Sequence, residues 1–284
     1  QIETNIMTDK DETLLHLACM SNKEKIVDML INNPDLSTKF DLNAKTNDGR
    51  TPFIHSCMVD VLPWMCKLFE LIPMKNANHV DNTKNAALTY AANNNRRDFC
   101  DHLFCCDIEI NGFNADTNGI INHYRDLMRR YNKAKDSARK NKDDAGSALS
   151  EVESDMRECQ SRKRQLESEI DSINSKIDSY NRDPQNSSYS ATSLKMDIAS
   201  CERSIRKYNE MIARVQRDLN HANEIYEYYS DKYSEICNAT RRDILNNIGH
   251  LESLGCRDRK IGQREFYIDW AKIGALALGI LLLI

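Results

Sequence analysis

Residues 41–57 read DLNAKTNDGRTPFIHSC and join two unlike kinds of sequence. The first part is rich in Asn, Asp and Gly, residues that favour tight turns because they tolerate left-handed backbone or bond to their own main chain. From Thr51 onward the residues are mostly apolar or small, which favours a short helix. This stretch therefore predicts a polar, hairpin-like loop that leads into a short helix.

The same pattern occurs three times in the first 124 residues. The matching stretches, in chain order, are DETLLHLACMSNKEKIVDMLI, GRTPFIHSCMVDVLPWMCKLF and KNAALTYAANNNRRDFCDHLF. When Thr13, Thr51 and Ala86 are aligned, the units lie 38 and 35 residues apart. Apolar pairs then recur at equal offsets: Val27 with Leu30, Met65 with Leu68, and Cys100 with Leu103. Each unit predicts a short helix, a turn and a second helix with one apolar face, which must stack on its neighbours to be buried.

This pattern resembles the ankyrin repeat. The second unit follows the family signature closely, with Asn43, Asp48, Gly49, Thr51 and Pro52 in register. The units depart from it at Leu14 and Ala87, which stand where the family has Pro, and at Ile54, which stands where the family has His. The resemblance covers roughly residues 5 to 125. It implies an ankyrin domain over 1–124 with about three repeats, the first incomplete or uncapped, and a degenerate fourth that opens at Asp116.

The resemblance also implies a binding surface. In the family, stacked repeats leave their loop tips and inner helices along a concave face that recognises proteins, so we expect a protein partner there. The corresponding tip positions are Asn47, Asp48, Arg50, Asn82, Asn85, Asn118 and Ile120. The alternative is that these are ordinary solvated turn residues.

Residues 125–255 carry a different signal, an apolar repeat of 3.5 residues that is typical of coiled coils. Two such arms flank a loop at about 181–193, where Pro184 stops the first helix. Seam positions match when the arms run in opposite directions: Tyr180 with Leu194, Ile173 with Cys201, Leu166 with Tyr208, and Val152 with Ala222. The pattern predicts an antiparallel hairpin within one chain, and a parallel homodimer of each arm is the alternative. A homo-oligomer through this coiled coil is a further expectation.

Residues 256–284 form a basic and aromatic segment followed by an apolar tail. The last twelve residues, from Ile273 to Ile284, contain no charge. Trp270 is placed as an interfacial aromatic anchor would be, and the basic residues before the tail favour a cytosolic N-terminal side. We therefore expect a membrane helix, cut short at Ile284, that contacts the lipid bilayer. A helix buried in an oligomer and an interfacial amphipathic helix are the alternatives.

Composition and motifs exclude several classes of function. The net charge of -4 gives no reason to expect nucleic acid. No nucleotide loop, metalloprotease motif or nucleophile elbow occurs, so we expect no enzyme, no catalytic residue, no cofactor and no bound metal. Cys100, His102, Cys105 and Cys106 come nearest to a metal cluster, but packing of the third repeat is the preferred interpretation. Scattered cysteines indicate a reducing compartment.

Together these features predict an all-α chain: an ankyrin solenoid, a long antiparallel coiled-coil hairpin and a C-terminal hydrophobic helix. The predicted function is a membrane-anchored scaffold or adaptor with its repeats and coiled coil facing the cytosol. Two alternatives stay open. One is the cytosolic part of an ankyrin-containing channel or transporter, and the other is a soluble, self-assembling structural protein.

Overall fold

The computed structural model describes residues 6–21, 23–33, 41–59, 68–110, 118–185 and 190–261. Helices are the regular elements of these residues, and two isolated β-bridges, Met7–Thr13 and Val80–Ala86, are the strand-like pairs among them. The predicted all-α class is therefore confirmed for the described ranges.

The helices fall into short pairs followed by long single helices. Their bounds are α1 Leu14–Met20, α2 Glu24–Asn32, α3 Pro52–Met58, α4 Met74–Ala77, α5 Ala87–Asn93, α6 Arg97–Cys105, α7 Gly119–Arg182, α8 Ala191–Cys237 and α9 Arg241–Leu254. Residues 68–71 are helical as well. The described residues form two compact units, one from 6–135 with 236–254 and one from 136–235 with 255–261.

The first unit repeats one packing arrangement. Helix α1 packs on α3, and α3 packs on α5, so the first helices of the three repeats lie side by side. The hydroxyls of Thr13 and Thr51 each accept a hydrogen bond from the first turn of the helix that follows. The apolar pairs that the sequence predicts are buried where the structure describes them: Val27, Leu30, Leu68, Cys100 and Leu103. Met65 lies outside the described residues.

The loop before each repeat contains the same turn. In every loop, a backbone amide donates a hydrogen bond of 3.0 Å to the carbonyl oxygen four residues later. These bonds run from Thr8 to Glu12, from Thr46 to Arg50 and from Asp81 to Asn85. One residue of each turn has a left-handed backbone: Asp11 at φ 60°, Gly49 at φ 75° and Lys84 at φ 63°. Only the second loop has the residue type that adopts this conformation without steric strain.

Replacing Gly49 by Ala should lower the free energy of unfolding by about 1–3 kcal/mol. The new Cβ would lie 2.6 Å from Oδ1 of Asn82, in addition to the left-handed strain. Lys84→Ala is the matched control, because that position already holds a Cβ in the same backbone conformation. Urea unfolding of the two variants should differ by at least about 1 kcal/mol, and equal losses would contradict the proposed clash.

A helix pair covers the C-terminal side of the third repeat, within the first unit. At the start of α7, the buried ring of Tyr124 stacks on Phe104 of α6 with centroids 4.6 Å apart, and its hydroxyl donates to Asp101. Helix α9 packs on α6 as well. An ion pair of 2.8 Å between Arg130 and Glu252 ties α7 to α9. The predicted hairpin extends to residue 255, whereas residues 236–254 lie in the compact unit of the repeats.

Arg241 links α9 to the end of the third repeat. Its guanidinium donates to the backbone oxygens of Phe104 and Ile108, lies 5.2 Å from the Phe104 ring centroid, and pairs with Asp107 at 3.1 Å. These groups come from a segment more than 130 residues earlier in the chain.

Replacing Arg241 by Ala should therefore loosen α9 from the repeats. We expect a loss of about 1–2 kcal/mol, because charged hydrogen bonds and a cation–π contact disappear together. Hydrogen exchange of the α9 amides should accelerate about tenfold or more, since local opening follows that free energy. The neighbouring Arg242 is exposed, and Arg242→Ala should leave the exchange rates unchanged.

The second unit pairs the later part of α7 with α8. One apolar cluster brings Val152, Met156 and Cys159 together with Tyr208, Met211 and Val215. A second cluster brings Ala145 together with Ile225 and Tyr229. Ala145 comes before Val152 on α7, whereas its partners Ile225 and Tyr229 come after Val215 on α8. The two helices therefore run in opposite directions.

Residues 255–261 lie along the same pair of helices. The polar contacts that hold them are Asn141 to the Gly255 oxygen at 3.2 Å, Arg257 to Asp144 at 3.2 Å, Lys232 to Asp258 at 2.7 Å, and the Arg259 guanidinium 3.8 Å from the Tyr228 ring centroid. In the described part of the chain, no helix is both long and apolar enough to cross a bilayer. The predicted membrane helix at 273–284 lies outside the described residues.

Candidate functional site

The exposed loops of the three repeats are tied to one another by hydrogen bonds. The amide of Asn47 donates to the Lys10 oxygen at 3.0 Å, and the amide of Asn82 donates to the Asp48 oxygen at 2.9 Å. The same two asparagines bridge neighbouring loops with their side chains, Asn47 to the Asp9 oxygen at 3.1 Å and Asn82 to the Asn47 oxygen at 2.9 Å. Neighbouring loops therefore cannot shift past each other without breaking both a main-chain and a side-chain bond.

Two histidines add further links between repeats. Nε2 of His16 lies 3.1 Å from the Arg50 oxygen, and Nε2 of His79 lies 2.9 Å from the Gly49 oxygen. Nδ1 of His16 lies 2.8 Å from the Thr13 hydroxyl, so both ring nitrogens are engaged. These contacts give the histidines a structural role at the loop junctions.

A buried carboxylate organises the loop of the third repeat. Asp81 accepts hydrogen bonds from the Thr83 amide and hydroxyl, the Asn85 amide and the Tyr90 hydroxyl. Nε of Arg50 reaches it from the loop of the second repeat at 3.3 Å. Burial alone would raise the pKa of Asp81, but the hydrogen bonds from Tyr90, Thr83 and Arg50 outweigh it and lower that pKa below its ordinary value.

The predicted partner-binding residues do not share one environment. Asn47, Asp48 and Asn82 are exposed and adjacent, and we call these three residues the tip row. Arg50 is half-buried beside it because its side chain turns toward Asp81. Asn85 and Ile120 are buried.

Asn118 has a structural contact of its own. Its Oδ1 accepts hydrogen bonds from the amides of Ile120 and Ile121, which caps the start of α7. Its Nδ2 donates to Asn93 at 3.0 Å. The structure therefore brings together three of the seven predicted residues as an exposed group, and their partner-binding role stays a prediction.

Buried cysteines line the interior of the repeats. Burial raises the pKa of the Cys57 and Cys100 thiols to about 12, and it raises the pKa of Cys19 too. Such thiols stay protonated and unreactive near neutral pH. Cys106 Sγ and His102 Nε2 are 3.9 Å apart, but no group of three metal-binding side chains occurs within the described ranges.

Sequence reasoning missed the residues that hold the tip row in place. His79, Asp81 and Tyr90 look like ordinary loop and helix residues, because their partners lie in other loops or nine residues away. One signal in the sequence was available, because each turn begins with a polar residue: Thr8, Thr46 or Asp81. The side chain of that residue accepts a hydrogen bond from the backbone amide four residues later.

Comparison with known families agrees with this geometry. The family model described as ankyrin repeats (3 copies) matches residues 15–114. No curated protein and no solved structure matches the chain. The loops of the second and third repeats and helices α2 to α6 fall inside the matched range, so residues 15–114 of this chain match three ankyrin repeats.

Proposed function

We propose that this chain is a non-enzymatic interaction protein that binds a protein partner through the tip row and the inner helices beside it. The observation that carries the proposal is the pairing of exposure with rigidity at Asn47, Asp48 and Asn82. All three residues are exposed, while their main chains and the side chains of the two asparagines are bonded to the neighbouring loops. Ankyrin repeats in general serve protein–protein interaction, which supports the same conclusion.

Fixed loops favour binding for an energetic reason. Ordering a mobile side chain or loop on association costs about 0.5–1.5 kcal/mol for each immobilised side chain. The cross-repeat hydrogen bonds already order the tip row, so less of this cost remains when a partner binds. The exposed carboxylate of Asp48 would supply charge recognition, and we propose that the partner contacts it with a basic or hydrogen-bond-donating group.

Charge reversal at Asp48 tests this proposal. The Asp48 side chain is 68% exposed, its bond to the next loop runs through its backbone oxygen, and its ion pair with Arg50 at 3.4 Å lies at the surface and is weak, so Asp48→Lys should leave the fold intact. Asp98→Lys is the matched control, because Asp98 is an exposed aspartate on α6, the second helix of the third repeat, and not in a loop of the tip row. We expect a specific partner to be captured equally by the wild type and Asp98→Lys, and about tenfold less by Asp48→Lys. Equal capture of every protein by all three chains would contradict the proposal.

We further propose that the paired helices α7 and α8 act as a spacer or oligomerising arm. Helix α7 contains 64 residues, which corresponds to about 96 Å at the rise of an α-helix. Its apolar residues from Val152 to Leu166 pack on α8, which supports a stiff antiparallel coiled coil.

We also propose that the tail fixes the protein to a membrane with the repeats in the cytosol. The uncharged run from Ile273 to Ile284 and the preceding basic residues support this part of the proposal. Membrane partitioning in cells tests it, with the chain ended at Gln263 as the comparison. Carbonate-resistant pelleting that is lost on truncation would support an anchor, and recovery of both chains in the soluble fraction would contradict it.

A further inference from the structure

The outward side of α8 carries a continuous row of polar positions. Tyr208, Met211 and Val215 are buried against α7, so the opposite side of α8 faces away from the hairpin. The residues on that side lie alternately four and three apart along the chain, from Arg203 to Glu235, and we call them the outer stripe. Every charged residue of the outer stripe is exposed.

The charges of the outer stripe divide by sign along the helix. Its first half contains four cations and one anion, and its second half contains three anions and no cation. The cations are Arg203, Lys207, Arg214 and Arg217, and the anions of the second half are Glu224, Asp231 and Glu235. On the outward side of α7, by contrast, serine recurs every seven residues, at Ser154, Ser161 and Ser168. The division by sign is therefore a property of one face of α8.

A stripe with this division is complementary to a reversed copy of itself. Two α8 helices that lie antiparallel, with residue 219 of each at the same level, bring cations of one copy opposite anions of the other. Arg203 then lies level with Glu235 of the second copy, Lys207 with Asp231, and Arg214 with Glu224. A parallel arrangement in register would place each charge beside the same charge of the other copy, and this repulsion disfavours it. The charge pattern therefore fits a second, antiparallel copy of α8.

The single anion in the basic half of the outer stripe also meets a cation in this arrangement. Glu210 lies level with Tyr228 of the second copy. In each copy, the guanidinium of the exposed residue Arg259 lies 3.8 Å from the centroid of the Tyr228 ring. The tyrosine thus holds a positive charge at the level that Glu210 of the other copy faces.

We propose that two copies of this chain associate through their outer stripes, with the two α8 helices antiparallel about a two-fold axis. In an interface of this symmetry both copies use the same patch, so each ion pair occurs twice. Exposed ion pairs are individually weak and are screened by salt, so we expect a weak dimer that dissociates as the ionic strength rises. This inference rests on the oligomerising role proposed above for α7 and α8, and it names the face and the register. Neither the tip row nor the tail takes part.

Zero-length crosslinking of the full chain tests the register. A carbodiimide joins an amine to a carboxylate that lies in contact with it. Lys207 and Asp231 lie 24 residues apart on the same helix, which corresponds to about 36 Å, so a crosslink between these two residues joins two copies. We expect this crosslink in the wild-type dimer at about 50 mM NaCl, in one fixed nonionic detergent.

Two failures of this experiment have different meanings. A dimer that lacks the crosslink between Lys207 and Asp231 would overturn the proposed interface and leave the oligomerising role of the hairpin in place. A chain that stays monomeric at about 50 mM NaCl would overturn both.

Charge reversal with rescue in the same chain tests the pairing. Lys207→Glu and Asp231→Lys each turn two ion pairs of the dimer into repulsions. Each should raise the dissociation constant about tenfold or more in sedimentation velocity. The double variant Lys207→Glu with Asp231→Lys restores opposite charges at both places and should dimerise like the wild type.

The matched control is Lys195→Glu, which makes the same charge change at an exposed lysine of α8 that precedes the outer stripe. It should change the dissociation constant less than about twofold. Circular dichroism that matches the wild type would show that each variant is folded. A dimer that both single variants retain, a double variant that stays monomeric, or an equal loss in Lys195→Glu would each contradict the proposal.

Discussion

Replacing Asp81 by Ala is expected to lower the free energy of unfolding of the repeat unit by about 3–5 kcal/mol, the largest single-residue effect that we predict. The residue is only 2% exposed, and its two carboxylate oxygens accept from two backbone amides, two hydroxyls and a guanidinium. Alanine removes the acceptors and leaves their donors in place, with the Asn85 amide buried and the groups of Tyr90 and Arg50 partly buried. An unpaired buried donor loses its hydrogen bond to water as well as its bond within the protein, so the loss exceeds that of a surface pair.

A graded series separates the carboxylate from simple loss of packing. Asp81→Asn keeps the shape and one acceptor oxygen, so it should lose about half as much stability as Asp81→Ala. Asp48→Ala is the matched control, since it removes an exposed aspartate that also pairs with Arg50, at 3.4 Å. That exposed pair should contribute less than about 0.5 kcal/mol. Urea unfolding followed by circular dichroism gives all three values, and a small effect of Asp81→Ala would show that the loop rests on its backbone bonds alone.

The pH dependence of this contribution has a definite sign. The folded pKa of Asp81 lies below its ordinary value of 3.8. Its stabilising effect is therefore complete at pH values above the unfolded pKa, and it is lost as the pH falls through the lower folded pKa. The difference in free energy of unfolding between wild type and Asp81→Ala should thus stay nearly constant from neutral pH down to about pH 5.

The repeats could be predicted because their information is local. The turn at 46–50 and the helix start at Thr51 depend on residues within one short stretch, and the same spacing recurs in the other units. Three ankyrin repeats were therefore predictable, and the family match confirms them. The exposed tip residues could be located for the same reason, although the burial of Asn85 and Ile120 depends on packing that spacing does not reveal.

The place of α9 could not be predicted in this way. It lies within the range 125–255 that is predicted as the hairpin, yet its buried residues Ile244, Leu251 and Leu254 belong to the unit of the repeats. The contact that distinguishes the two assignments joins Arg241 to backbone oxygens 133 and 137 residues earlier. Backbone oxygens carry no sequence signal, so no spacing rule could have identified that partner.

The second large effect is a loss of stability in mild acid that originates at His55. This side chain is 5% exposed, and neither ring nitrogen has a hydrogen-bond partner in the described structure. The pKa of His55 is lowered to about 4, mainly by burial and also by the positive charges that His16 and Arg50 can carry, while Glu12 and Asp48 act in the opposite direction. The imidazole rings of His16 and His55 pack edge to face, with their centroids 5.3 Å apart.

Above pH 6.5, His55 is neutral in the folded and the unfolded chain and contributes no pH dependence. Below that value the unfolded chain takes up a proton that the folded chain accepts only near pH 4. The free energy of unfolding should therefore fall as the pH drops through this window, by about 3 kcal/mol from His55 alone. His16, whose pKa is also lowered by burial, acts in the same direction.

His55→Phe isolates this contribution, because phenylalanine keeps a neutral ring against His16 and cannot bind a proton. Urea unfolding of both chains at several pH values between 7 and 4 gives two stability curves, and the wild type should lose about 3 kcal/mol relative to His55→Phe across that range. His250→Phe, at an exposed histidine of α9, should follow the wild-type curve. Parallel curves for wild type and His55→Phe would mean that the buried imidazole finds a partner for its proton when charged. A difference that opens only below pH 6.5 would establish His55 as the source of acid sensitivity in the repeats.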